Sequence, residues 1–203
     1  MRLADLLRGA GLCLAMGAAG WAADFSDPTW PCVQRKVETL SPGLMWPHPI
    51  TEMTLDAATL DDVRDLSERL SLRRLELAEI QPEIDRFVTS HGSDPALLGQ
   101  VFDRVFTRLS RTRTAIIRGI GDYSLEQIRL SEQIEAKRQS FDAALAAEPP
   151  DYDAADEIEA QIDWDERIYQ DRQRSLTYVC ETPVLLEKRL FGVAQMLIQA
   201  TGG

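Results

Sequence analysis

From Thr54 onward, apolar residues recur at spacings of three and four, the one-sided stripe of an amphipathic helix. Leu60, Val63, Leu66 and Leu70 form the first stripe, with Thr54 placed as its cap and Asp56 in its first turn. Arg73 to Gln81 has no clear period. Pro82 suits the first turn of a second helix, which runs to about Thr89 with Ile84, Phe87 and Val88 inward. His91-Gly92-Ser93-Asp94-Pro95 is a stop and a restart, in which Asp94 caps and Pro95 begins the next helix. Leu97, Leu98, Val101, Val105, Phe106, Leu109, Ile116, Ile117 and Ile120 then share one face, and Leu125, Ile128, Ile134, Phe141 and Leu145 continue the period. No proline interrupts this run. The spacing therefore predicts one helix from about Pro95 to Ala147, weakest at Gly119 and Gly121, where Ser124 with Gln127 could cap a fresh start.

Glu148-Pro149-Pro150-Asp151 ends that helix. The next stretch, about Tyr152 to Tyr178, turns Ile158, Ile162, Ile168, Tyr169 and Leu176 inward. Thr182-Pro183 is read as the cap of a last helix, with Leu186, Leu190, Val193, Ala194 and Leu197 on its stripe. Two stretches of about 50 residues joined by a proline turn make an antiparallel hairpin, each arm roughly 75 Å long if straight. Helix 54–90 packs on part of it. The expected fold is all-α: a helical bundle with a long antiparallel coiled-coil-like hairpin, filling 54–203 as one domain.

Residues 24–53 break the pattern. Pro28, Pro31, Pro42, Pro47 and Pro49 forbid a continuous helix, and an extended proline-rich arm over 23–53 is expected. Trp30, Trp46, Leu44, Met45 and Ile50 are its candidate anchors.

Before the arm, Met1 to Arg8 is short and basic, and Gly9 to Gly20 is apolar and rich in Ala, Gly and Leu. Small residues then lead to polar Asp24. This is the pattern of a secretory signal peptide over 1–22, cut after Ala22 with Gly20 at the −3 position. Its apolar run is too short to span a bilayer, which needs about 20 residues, and no second such run follows, so no stable membrane insertion of the mature chain is expected. Ala10-Gly11-Leu12 before Cys13 is a poor lipidation signal. Removal of 1–22 leaves Cys32 and Cys180 in an oxidising compartment, where pairing is the default and free or intermolecular thiols are the alternative. Cys180 lies about 31 residues past the turn and should face about residue 118, so a Cys32–Cys180 bridge would pin the arm beside Gly119–Gly121.

The formal charge is −11, and residues 1–22 contribute Arg2, Arg8 and Asp5, a net +1, so the remainder carries −12. Such a surface repels nucleic acid and anionic lipid. Within it, Arg104, Arg108 and Arg111 share a helix face beside Arg113 and Arg118. They could hold an anionic partner or ligand, or pair with acidic residues of neighbouring helices.

Catalytic chemistry is not legible. There is no C-x-x-C, no G-x-S-x-G, no phosphate loop and no dinucleotide fingerprint. The acidic run Asp151, Asp153, Asp156, Glu157 and Glu159 departs from a calcium loop, because Ala155 stands where a ligand is needed and no glycine follows. His48 and His91 sit in turn-rich segments 43 residues apart, with no further zinc ligands beside them. No metal and no cofactor is expected.

The segments Trp30-Pro31-Cys32-Val33-Gln34-Arg35-Lys36 and Ser175-Leu176-Thr177-Tyr178-Val179-Cys180-Glu181, followed by Glu187-Lys188-Arg189-Leu190-Phe191, resemble an uncharacterised family of exported proteobacterial proteins. Arg113 to Gln127 is similar as well. The resemblance implies a periplasmic location and a paired-cysteine framework, and it brings no activity. Two functions are compatible with these features. One is a non-enzymatic adaptor that meets another exported or membrane-bound protein. The other is a bundle that binds a small ligand between arm and helices, with Trp30, Trp46, Arg35 and Lys36 as lining.

Overall fold

The computed structural model describes residues 27–202. The expected signal peptide and the first residues of the arm lie outside the described residues. Within them are four α-helices and no strand: α1 (Ala57–Ser71), α2 (Leu77–His91), α3 (Pro95–Ala146) and α4 (Tyr152–Ala200). A short 3-10 turn, Pro42–Leu44, is the sole regular piece of the arm within the described residues.

Asp56 caps α1, accepting from the Thr59 amide at 3.0 Å, and Thr54 lies outside the helix. The expectation of Thr54 as cap is thus corrected by two residues. The α2 start is also corrected. Glu76 and Glu79 form a reciprocal capping box, so the helix opens at Leu77 and Pro82 lies inside it. Gly92, at φ 87°, ends α2 in a backbone conformation that suits glycine. Asp94 and Pro95 open α3 as expected, and α3 runs unbroken through Gly119 and Gly121.

The larger correction concerns α4. The expected break at Thr182-Pro183 does not occur; Pro183 is a buried residue inside one 49-residue helix. Proline removes one hydrogen bond, but the apolar stripe Cys180, Pro183, Leu186, Leu190, Val193 and Leu197 runs straight through it. Tertiary packing of that stripe outweighs the lost bond.

All four helices share the main core. Val63, Leu66, Leu70, Ile80, Ile84, Phe87, Leu97, Leu98, Val101, Phe102 and Val105 meet Leu186, Leu190, Val193 and Leu197. Arg189 ties the α1–α2 connection to α4, donating from Nε to the Leu70 carbonyl and from Nη1 to the Leu75 carbonyl, both at 2.7 Å. Arg69 and Glu83 pair between α1 and α2. This cluster spans only the N-terminal part of α3 and the C-terminal part of α4.

Beyond it the two long helices pack on each other alone, as a two-helix extension. Along α3, Gln127, Leu130, Ile134, Lys137, Phe141 and Ala144 are withdrawn from solvent. Along α4, Ala155, Ile158, Ile162, Asp165, Tyr169, Arg172 and Leu176 do the same. Both series alternate by three and four, the seam of a coiled coil. Ile128 and Leu145 were expected inward and are exposed; Gln127 and Leu130 take that face instead.

The arm runs along α3 against the helix direction, from Pro28 at Ser124, where the bundle passes into the extension, through Val37 at Arg113 to Thr51 at Gln100. Its anchors differ from expectation in part. Trp30 and Trp46 are buried and Met45 packs on the main core, but Leu44 is 84% exposed and Ile50 is also exposed. Leu44 lies in the short turn that brings Trp46 down onto Phe102, and its own side chain points outward.

Candidate functional site

Cys32 and Cys180 form a disulfide, with Cα atoms 5.5 Å apart. They lie in a small cluster with Trp30, Ile117 and Ile120, next to the position expected from hairpin register. The close approach is made at Gly121, where a Cβ would stand 3.4 Å from Thr29; Gly119 faces open space.

Polar ties hold the arm on both sides of the bridge. Ser124 Oγ donates to the Pro28 carbonyl at 2.7 Å. Buried Arg113 donates from Nη1 to the Val37 carbonyl at 2.6 Å and approaches Glu187 at 3.5 Å. Burial lowers the Arg113 pKa, and the Glu187 charge opposes that shift. Trp30 Nε1 donates to the Gln34 carbonyl. Asp27 accepts from the Thr29 hydroxyl and amide and from Lys36 Nζ. The Thr29 bonds foremost, then Lys36, hold its carboxyl down at about 2. Lys36 is raised in turn, chiefly by its bond to Asp27.

The proposed ligand-lining residues do not converge. Trp46 belongs to the main core, stacked on Phe102 at 5.3 Å, whereas Trp30 belongs to the disulfide cluster. Arg35 is exposed. Lys36 does line a pocket of about 270 Å³ with Thr29, Glu38, Ile117, Arg118 and Gly121, and no tryptophan reaches it. His91 ends α2 with Nε2 2.8 Å from Asp62, and His48 packs edge-on to Trp46. Among the described residues no three His, Cys, Asp or Glu side chains gather as a metal site, and no helix is long and apolar enough to cross a membrane.

Arg104, Arg108 and Arg111 do converge. They line one wall of a groove of about 550 Å³ between α3 and α1, and Arg64, Ser67, Glu68 and Ser71 line the other. Arg108 meets Glu68 at 3.2 Å, and Arg64 meets Asp61. The periodicity grouped the three arginines. It could not find the α1 wall, because which helix faces α3 there is a matter of tertiary packing.

The extension has an outward face too. Trp164, Tyr178 and Leu185 are exposed at 62, 76 and 44%. Their spacings of fourteen and seven put them at one heptad position on the outside of α4, with the exposed Asp171 between the first two and Leu185 past Cys180 on the bundle side.

No family model, no curated protein and no solved structure matches this chain.

Proposed function

We propose that this protein is an exported, periplasmic, non-enzymatic adaptor whose two-helix extension engages another exported or membrane-bound protein. The observation that carries the reading is the outer stripe of α4. Two large aromatic side chains of the extension, Trp164 and Tyr178, stand exposed at one heptad position of an acidic chain, about 21 Å apart along the helix, and Leu185 continues their line past Cys180 onto the bundle. Asp171, paired with Arg174, stands at the same heptad position between Trp164 and Tyr178, so the face consists of spaced aromatic anchors set among charges, a form in which helices dock on partners. The signal-peptide pattern of 1–22 and a long-range disulfide support export. The family resemblance supports the periplasm.

The test is crosslinking and capture from native periplasm with full-length protein and with a Trp164→Ala/Tyr178→Ala variant. Both side chains are exposed, so the variant should keep its stability to within about 0.5 kcal/mol. The reading expects a reproducible protein partner that the variant fails to retain. A partner held equally by both, or a clean monomer that retains none, overturns it.

A further inference from the structure

The groove between α1 and α3 is a positive island on a negative molecule. Its lining holds Arg64, Arg104, Arg108 and Arg111 against two carboxylates, Glu68 and Asp103, in a chain of net charge −11. Arg108 and Glu68 are paired, both more than half exposed. Such a pair contributes at most about 1 kcal/mol and exchanges readily for an incoming carboxylate. Arg104 and Arg111 have no hydrogen-bonded or ionic partner among the described residues. Of the five clustered arginines, Arg108 pairs with Glu68 and Arg113 with Glu187, so pairing with acidic neighbours accounts for one of the three that line this groove. Hydroxyls of Ser67, Ser71, Thr107 and Thr112 complete the surface.

Two features decide what kind of anion fits. Every lining residue lies in the body of α1 or α3, where backbone amides are used within the helix. No helix start presents its amides here, which is what a compact phosphate ordinarily exploits. The arginines also spread along α3. From Arg104 to Arg108 the rise is about 6 Å, and from Arg104 to Arg111 about 10 Å. The three positions thus form a row along the helix, which a ligand carrying several carboxylates can engage at once. Alternate side chains of an extended chain are about 6.6 Å apart, close to the first step; two such steps, about 13 Å, exceed the second by about 3 Å, a difference within the reach of flexible arginine side chains.

We propose that this groove binds an extended acidic peptide segment of a partner protein, with alternate carboxylates meeting Arg104, Arg108 and Arg111. Guanidinium forks suit carboxylates in a bidentate geometry. The surrounding negative charge opposes every polyanion, the peptide included, so binding depends on the local positive potential of the groove. The proposal rests on the interaction reading above but uses a different surface from the α4 stripe.

The experiment is fluorescence anisotropy of the full disulfide-bonded protein with a labelled peptide of alternating Glu and Ala, and with its Gln-for-Glu twin. The Glu peptide should bind, and raising salt from about 50 to 200 mM should weaken it several-fold. Arg104→Gln/Arg111→Gln should weaken it at least about tenfold. Arg167→Gln, on the extension, should leave it unchanged. Helicity by circular dichroism checks that each variant is folded. Binding of the Gln twin equal to the Glu peptide, an unaffected Arg104/Arg111 double variant, or no binding overturns the proposal. So does displacement by inorganic phosphate at the concentration at which free Glu-Ala peptide displaces, since that identifies a compact-anion site. Trp164→Ala/Tyr178→Ala should bind the peptide normally, so failure at the groove and failure at the stripe are separable.

Discussion

Single side chains do most of the work of fixing the arm. Asp27 sits at the centre of a closed set of bonds from the Thr29 amide, the Thr29 hydroxyl and Lys36. These bonds favour the carboxylate, so its pKa falls from 3.8 to about 2. A depressed acid stabilises the fold above its unfolded pKa, and that contribution disappears as pH falls through the folded one. Attachment of residues 27–36 should therefore weaken between about pH 4 and pH 2. Raised Lys36 acts at the other end: its contribution is whole below 10.5 and fades as pH rises past it. A carboxyl-carbon NMR titration of Asp27 should give a midpoint near 2, and Asp27→Asn should abolish the acid-side loosening of the arm. A midpoint at the ordinary 3.8 refutes this network. Arg113 of α3 holds the arm further along, at Val37. It is buried beside a single half-exposed acid, and its bond to the Val37 carbonyl offsets part of the cost of that burial.

At the level of elements, the extension is a coiled coil whose seam is interrupted by charge. Lys137 and Asp165 occupy seam positions on α3 and α4 and pair at 2.7 Å, with 32 and 17% of their side chains exposed. Gln127 donates to the Tyr169 carbonyl and Tyr123 to the Arg172 carbonyl, so polar layers recur along the seam. A polar pair at such positions costs stability relative to apolar packing and fixes which residues face each other. Asp165→Leu alone should destabilise by roughly 1–3 kcal/mol in urea unfolding, because it strands a half-buried ammonium. Lys137→Leu/Asp165→Leu should recover most of that loss. A double variant as unstable as the worse single would mean the pair acts through bonds other than its own. How far these elements were legible follows from the same physics. The extent of α3 was readable because no proline interrupts its stripe, whereas its continuity through Gly119 and Gly121 and the inward face beyond them, where Gln127 and Leu130 replace Ile128, are decided by packing on the arm and α4. The α1 and α2 starts were missed because several residues near each boundary can cap, and only the folded backbone selects Asp56 and Glu76. Pro183 was misread because proline reports a local cost, whereas continuity of α4 is decided by the core its stripe enters. The three arginines of the groove were visible on one helix, and the hydroxyls and Arg64 opposite them were not, since their approach depends on the α1–α3 contact.

Over the whole molecule, the disulfide stands at the junction between a four-helix bundle and a two-helix extension. On the bundle side, α1 and α2 cover the hairpin; on the other, the helices cover only each other. Ile117 and Ile120 lie between these regions, and what covers them is Trp30 and Cys32 of the arm, with Cys180. The bridge joins residues 148 apart in sequence, so closing that loop restrains the unfolded chain by up to about 5 kcal/mol. Cys32→Ser and Cys180→Ser should each lose a similar share of that amount in denaturant unfolding under non-reducing conditions. The double variant should be no less stable than either single. Additive losses would mean that each cysteine stabilises the protein independently of the other. Hydrogen exchange locates the effect. Ser124 and Arg113 still tie the arm after the bridge is gone, so the bundle should keep its protection. Amides near 113–124 and 176–187 should exchange faster, while 130–165, held by the seam alone, should not change. Faster exchange spread evenly to the tip would instead mean that the bridge governs the whole hairpin, and that the extension has no stability of its own.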